Sequence, residues 1–417
     1  MSSIKTIVIV GGGMAGATAA ETLRDEGFEG RIVLFAAEAE LPYERPPLTK
    51  DYLRGGSPFE KALVHPASWY DERDVDLVRS TTVTSIDRPA GNVILADGTR
   101  VAFDRLLLAT GSAPRVLDVL GNDLDGVHLL RTRRDADAIR TAAAKAERVV
   151  VVGGGWIGTE VAASLRQGGA AVTVVMPDDV PLEKQLGVEV GSMVRDLHVE
   201  HGVEFVGARQ VVGFGGRSSV EAVHLSDGSS LAADLVVVGI GATPRVELAT
   251  AAGIEVSNGV VVDEHLATSA PNVFAAGDVA AAWHPLFESR IRVEHWDNAR
   301  RQARVAAKNM LGANETYDRI PFFFTDQYDF GMEYAGYAPR WDRVVFRGDP
   351  ASRRFIAFWL DGERVAAGMN ANIWKVNGAI SALVASRAAV DVGRLTDENV
   401  PLTDLDAILL RSRVAVG

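Results

Sequence analysis

Two stretches of the chain run through the same order of apolar and polar positions. "TIVIVGGGMAGATAAETL" begins at Thr6 and "RVVVVGGGWIGTEVAASL" begins at Arg148. In each, a β-branched apolar run meets three glycines, after which small and apolar residues recur at helical spacing. Strand, tight turn and helix are therefore predicted twice. A further apolar run follows each, "RIVLFAAE" at 31–38 and "AVTVVMPD" at 171–178, which completes two βαβ units. The expected fold is α/β, with two Rossmann-like dinucleotide-binding domains.

The repetition extends past the glycines. Residues 83–112 and 211–244 both read as short strands with "ADGT" or "SDGS" turns, then an apolar strand ending in "ATG" or "GIG". "VEHWDNARRQARVAAKNML" is helical in pattern, and from Pro321 the chain becomes aromatic and strand-like before closing on short helical segments. The expected domains are 1–112 for the first part of one dinucleotide domain, 113–243 for the second domain, 244–320 for the return to the first, and 321–417 for a C-terminal α+β domain.

Composition narrows the chemistry. The chain has 417 residues, 43 basic and 55 acidic, for a formal charge of −12. A net acidic chain argues against general nucleic-acid binding, which needs a basic face to displace counterions. There is no cysteine, which excludes disulfides, thiolate catalysis, cysteine-ligated zinc and iron–sulfur clusters bound by this chain. No metal site is expected. The apolar run at the start flows into glycines and reads as a buried strand, and no run approaches a membrane span. Cytoplasmic location and no membrane association are the expectations.

Gly11, Gly13 and Gly16 form G-x-G-x-x-G between a strand and a helix, the arrangement that lets a pyrophosphate approach the backbone at a helix N-terminus. Glu38, 27 residues after Gly11, is the candidate acceptor for that dinucleotide's ribose hydroxyls. Gly153, Gly155 and Gly158 repeat the fingerprint. Two dinucleotides on one chain point to a bound flavin and a diffusing nicotinamide, with a hydride passing between two ring systems.

"LPYERPPLTK", "LLLATGSAPR", "LRTRRDADAIR", "VVVGIGATPRVELA", "TSAPNVFAAGDVA" and "VEHWDNA" occur in this order along with the two glycine motifs. Together they resemble the FAD-dependent ferredoxin reductases of oxygenase systems, of rubredoxin and putidaredoxin type, and their apoptosis-inducing-factor-like relatives. The resemblance covers essentially the whole chain. It implies an FAD domain interrupted by an NAD domain, then a C-terminal domain. It implies that Asp278 bonds the FAD ribityl chain, although an aspartate also serves a helix N-cap. Arg45 and Lys50 match a segment in which the lysine lies beside the flavin. Glu160 matches the glutamate that pairs with that lysine and faces the nicotinamide, although an acid in a first helical turn is favourable anyway. Ala15, Val83, Ala109, Arg131 and Trp296 match FAD-lining positions, while Ile157 and Gly241 join the second fingerprint as NAD contacts.

Three positions depart from the family. Phe324 stands where a tryptophan is usual and lacks the indole donor. Arg245 replaces an asparagine. Met176 lies 23 residues after Gly153, where the fingerprint calls for the acid that accepts the adenosine ribose hydroxyls. A thioether is a weak acceptor. The carboxylates of Asp178 and Asp179 disfavour the 2′-phosphate of NADPH, and Lys184 is the nearby cation. NADH is the expected donor, with Asp178 or Asp179 accepting the ribose.

The expected function is hydride transfer from NADH to FAD, then single electrons to a [2Fe-2S] ferredoxin that feeds an oxygenase. The alternative is an interaction protein of the apoptosis-inducing-factor kind that responds to NADH. Arg300, Arg301, Arg304 and Lys308 share one predicted helix, where Arg300 and Arg304 form a candidate patch for an acidic ferredoxin. Monomer and homodimer both remain open.

Overall fold

The computed structural model describes residues 4–410, so the extreme ends of the first and last expected domains lie outside it. The chain forms two compact units. Among the described residues, one comprises 4–47, 57–113 and 242–319; the other comprises 48–56, 114–241 and 320–410.

In the first unit five strands form a parallel sheet, in the spatial order Val273–Ala275, Arg105–Leu108, Thr6–Val10, Arg31–Phe35 and Val75–Val78. Its central strand is buried at Ile7, Val8, Ile9 and Val10, as expected for a parallel sheet covered on both faces. Helices Met14–Asp25 and Trp296–Met310 pack on one another. A three-stranded antiparallel sheet, Val83–Asp87, Asn92–Leu95 and Arg100–Ala102, accounts for the turn-rich segment before the "ATG" strand.

The second unit repeats the parallel sheet, in the order Glu204–Val206, Ala171–Val175, Arg148–Val152, Leu235–Val238 and Val127–Leu129. It also holds an antiparallel sheet of five strands, ordered Phe322–Gln327, Phe330–Gly336, Arg364–Ala371, Arg354–Asp361 and Arg343–Asp349. Leu186, Val190, Val194 and Leu197, spaced three and four apart on helix Glu183–Glu200, share one core with Phe330, Met332, Phe355 and Trp359. The buried Trp359 indole donates to the Leu186 carbonyl at 3.0 Å, so its polar edge is satisfied inside that core. The short segment 48–56 belongs to this unit for a local reason. Ser164 donates to the Thr49 carbonyl at 2.6 Å and Tyr52 donates to Asp137 at 2.6 Å.

Candidate functional site

In the first unit the glycine turn is built as the fingerprint requires. Gly11 has φ +127°, and a Cβ there would collide with the Ala109 carbonyl, so both conformation and space demand glycine. A Cβ on Gly16 would strike the Gly11 carbonyl, which brings the helix against the strand. Before Gly13, which precedes the first turn of Met14–Asp25, the space is open and no side chain caps the helix. Orphan N–H groups facing open space suit a pyrophosphate. These residues fit FAD.

Other expected contact residues lie in the same unit. Gly277 lies against Ala15 and against Ala299 of helix Trp296–Met310, and its N–H donates to the buried Gln302 side chain at 2.9 Å. Asp278 follows in a turn that leads into strand Ala280–His284, so it caps no helix; its carboxylate accepts from the Ser112 hydroxyl at 3.0 Å. Val83 is buried at the start of its strand. Trp296 opens its helix with Arg300 over its ring at 5.7 Å. Gln302 had no signal in the sequence beyond its place among alanines on a helix face.

Glu38 is held by two partners. Arg45 pairs with it at 2.5 Å, and the Tyr43 hydroxyl donates to it at 2.6 Å. Burial alone would raise its pKa, but the Arg45 charge and hydrogen bond, the Tyr43 hydroxyl and the more distant Arg245 charge hold it below the ordinary carboxylate value. Arg245, unexplained by the sequence, thus adds to the positive field on Glu38. Its backbone is fixed by an N–H to the Gly111 carbonyl and by the Thr110 hydroxyl on its own carbonyl.

The second unit repeats the turn: Gly153 has φ +112° and a Cβ there would collide with the Gly239 carbonyl, while the space before Gly155 is open. Ile157 is on the surface of the first helical turn, and the Gly241 carbonyl accepts from the Arg115 N–H at 2.9 Å. Met176 lies just beyond the strand end at Val175 and is 1% exposed, its sulfur against Gly154. The loop after it is tied to itself. Glu183 accepts the N–H groups of Asp179 and Val180 at 3.1 and 3.4 Å, and Lys184 pairs with Asp178 at 3.0 Å. Asp179 stays exposed.

Also in the second unit lies a charged pair built on a buried carboxylate. Glu160, one turn into helix Trp156–Gln167, is 8% exposed. Among the described residues three donors reach its carboxylate: Lys50 Nζ at 2.6 Å and Thr325 Oγ1 at 2.5 Å on Oε1, and Thr49 Oγ1 at 2.5 Å on Oε2. So its role is not that of an acid decorating a first turn. A buried carboxylate is tolerable only when paired and fully hydrogen-bonded, and this one is. The Lys50 ammonium also lies 5.8 Å from the centre of the Phe324 ring, within cation–π range. Thr325 and Gln327 were missed by the sequence reading; the available signal was two polar residues at i, i+2 on one strand face. Arg131 lies in this unit before helix Arg133–Ala143, its N–H donating to Asp135 at 3.0 Å. Among the described residues no group of His, Asp and Glu side chains is placed to hold a metal ion, and no helix is long and apolar enough to cross a membrane.

Two open glycine turns, each between a parallel strand and a helix, define a flavoprotein-type dinucleotide fold. The comparisons agree. Residues 5–303 match the family described as pyridine nucleotide-disulphide oxidoreductase, and residues 322–406 match the one described as reductase C-terminal. The chain belongs to the pyridine nucleotide-disulphide oxidoreductase family. It is 40% identical to the ferredoxin–NAD(+) reductase component of the anthranilate 1,2-dioxygenase system of Burkholderia cepacia, over 96% of this chain and 99% of that one. It is 37% identical to putidaredoxin reductase of Pseudomonas putida, over 98% of each. The structure of the covalent putidaredoxin reductase–putidaredoxin complex superposes with a TM-score of 0.93 at 37% identity, covering 97% of this chain and 98% of that chain. With no cysteine, the disulfide chemistry in the family's name is closed to this chain.

Proposed function

We propose that this chain is the reductase component of an oxygenase electron-transfer system, taking hydride from NADH and delivering single electrons to a [2Fe-2S] ferredoxin. Bound FAD supplies the capacity to accept two electrons together and release them one at a time. The first glycine turn, Glu38, Arg45 and Asp278 are assigned to holding it; Ala15, Val83, Ala109, Arg131 and Trp296 line it. The second turn, with Ile157 and Gly241, is assigned to NADH. Asp179 is assigned to the adenosine ribose, because Met176 is buried and Asp178 is engaged by Lys184.

The observation that carries the reading is the Lys50–Glu160 pair. In a chain without a thiol, an ammonium held against a buried carboxylate and near an aromatic ring is a device for stabilising charge on a reduced ring system. Glu160 keeps that ammonium in place. The relatives named as ferredoxin reductases support the acceptor, and the domain bounds of the sequence reading and a cytoplasmic monomer or homodimer complete the proposal. Anaerobic stopped-flow mixing of the yellow protein with NADH and with NADPH tests it. NADH should bleach the flavin, with NADPH at least about tenfold less effective, as expected for a 2′-phosphate facing Asp178 and Asp179. If neither bleaches it, the proposal fails.

A further inference from the structure

Glu160 is held by more than its ion pair. The Thr325 hydroxyl gives its hydrogen to Glu160 and accepts from Gln327 Nε2 at 3.2 Å. The same Gln327 nitrogen donates to Thr159 Oγ1 at 3.1 Å. Thr159 directs its own hydroxyl to the Gly155 and Trp156 carbonyls at 3.1 Å, so toward Gln327 it offers only a lone pair. With both threonines accepting, the amide nitrogen of Gln327 must face them and its oxygen must face away. That oxygen lies 2.7 Å from His198 Nε2. His198 therefore carries its proton on Nε2.

The histidine is suited to that fixed role. It is fully buried on helix Glu183–Glu200, and burial pushes its pKa down to about 4, so it is neutral across the physiological range. A neutral ring protonated on Nε2 leaves Nδ1 bare, in agreement with the lack of a partner for Nδ1 among the described residues. Phe205 and Tyr328 pack edge-on against the ring. Thr159, Thr325 and Gln327 are also at most 2% exposed, so water does not compete along the path.

We propose that His198, Gln327 and Thr325 form a one-directional hydrogen-bond relay that fixes the rotamer of Glu160 and, through it, the position of the Lys50 ammonium. None of the three is hydrogen-bonded to Lys50. They are positioning residues. The relay joins three elements: helix Glu183–Glu200, strand Phe322–Gln327 and helix Trp156–Gln167. Without it, Glu160 keeps its charge partner on Oε1 and Thr49 on Oε2 but loses the second donor on Oε1, the one that ties it to strand Phe322–Gln327.

This inference rests on the reading that Lys50 and Glu160 act on the reacting rings, so the experiment separates the two. Lys50→Met is the control for that reading: it should lower the flavin midpoint potential and slow reduction by NADH. Thr325→Val is nearly isosteric and removes the donor to Glu160. It should lower the potential in the same direction and slow the limiting rate of flavin reduction about tenfold, the loss of roughly one hydrogen bond to a charged group. The Kd for NADH should stay within about twofold. Thr325→Ser, which restores the hydroxyl, should recover both the rate and the potential. Gln327→Met, two links further out, should give a smaller change in the same direction. If Lys50→Met moves neither quantity, the reading of the pair is wrong. If Lys50→Met moves both but Thr325→Val moves neither, or if Thr325→Ser fails to rescue a folded protein, the relay is overturned.

Discussion

Met176, Asp178, Asp179 and Glu183 crowd the place where a nicotinamide-binding unit keeps one ribose-binding acid, and the structure sorts them by what each already holds. Met176 fills space beneath Gly154, Asp178 is paired with Lys184, and Glu183 is taken up by two backbone N–H groups. Asp179 remains, with its backbone pinned and its side chain exposed. Asp179→Asn should therefore raise the Kd for NADH about three- to tenfold, as losing a charge-assisted hydrogen bond does. Binding of reduced nicotinamide mononucleotide, which lacks the adenosine, should not change. Equal weakening of both ligands in a titration would show that the loop acts on the whole site and not on the ribose. The glycines were legible in the sequence because their spacing is set by backbone geometry, whereas Glu160 was singled out only by the family resemblance. The commitments of Asp178 and Glu183 were not, since ion pairs and capping bonds within a loop leave no periodic trace.

The helix Glu183–Glu200 shows what sequence pattern conveys at the level of elements and what it omits. Its apolar spacing at 186, 190, 194 and 197 announces a buried stripe, and that stripe lies against the antiparallel sheet. His198 looks in the sequence like a polar residue near a helix end, yet it is fully buried on Gln327. Likewise Thr325 and Gln327 went unremarked, because alternation alone cannot tell water from a buried carboxylate as the polar face's partner. Burial of His198 has a consequence for stability. Its pKa falls from 6.5 in the unfolded chain to about 4 in the fold, so between those values the unfolded state binds more protons and stability drops as pH falls. Between pH 7 and pH 5 this group should cost about 2 kcal/mol, at about 1.4 kcal/mol for each pH unit below the unfolded value. Urea unfolding of the native chain and of His198→Gln at the two pH values measures it. The native chain should lose about that much more than the variant; equal losses would mean that His198 is not held neutral.

For the molecule as a whole, the net charge of −12 is a problem for a protein proposed to meet an acidic ferredoxin, because two acidic bodies repel at low salt. The encounter then requires a local positive surface. On helix Trp296–Met310 two of the four cations are already neutralised: Arg301 by Asp297 at 2.5 Å, and Lys308 by Glu315 at 2.7 Å and Glu26 at 3.6 Å. Arg300 lies over Trp296, and Arg304 is exposed one turn further on. These two are the charges left to face a partner, and Arg304 projects with fewer local ties. Arg304→Glu should lower kcat/KM for the ferredoxin about tenfold near 20 mM salt, where surface charges act over tens of ångströms, and the gap should close toward 0.5 M salt as screening shortens that reach. Reduction of the flavin by NADH should be unaffected, as expected for a residue that serves docking alone. Steady-state turnover over a salt series, beside the anaerobic half-reaction, measures both. An unchanged ferredoxin rate with an unchanged salt slope would remove this helix as the docking surface, and a parallel loss in the half-reaction would instead place Arg304 in service of the flavin.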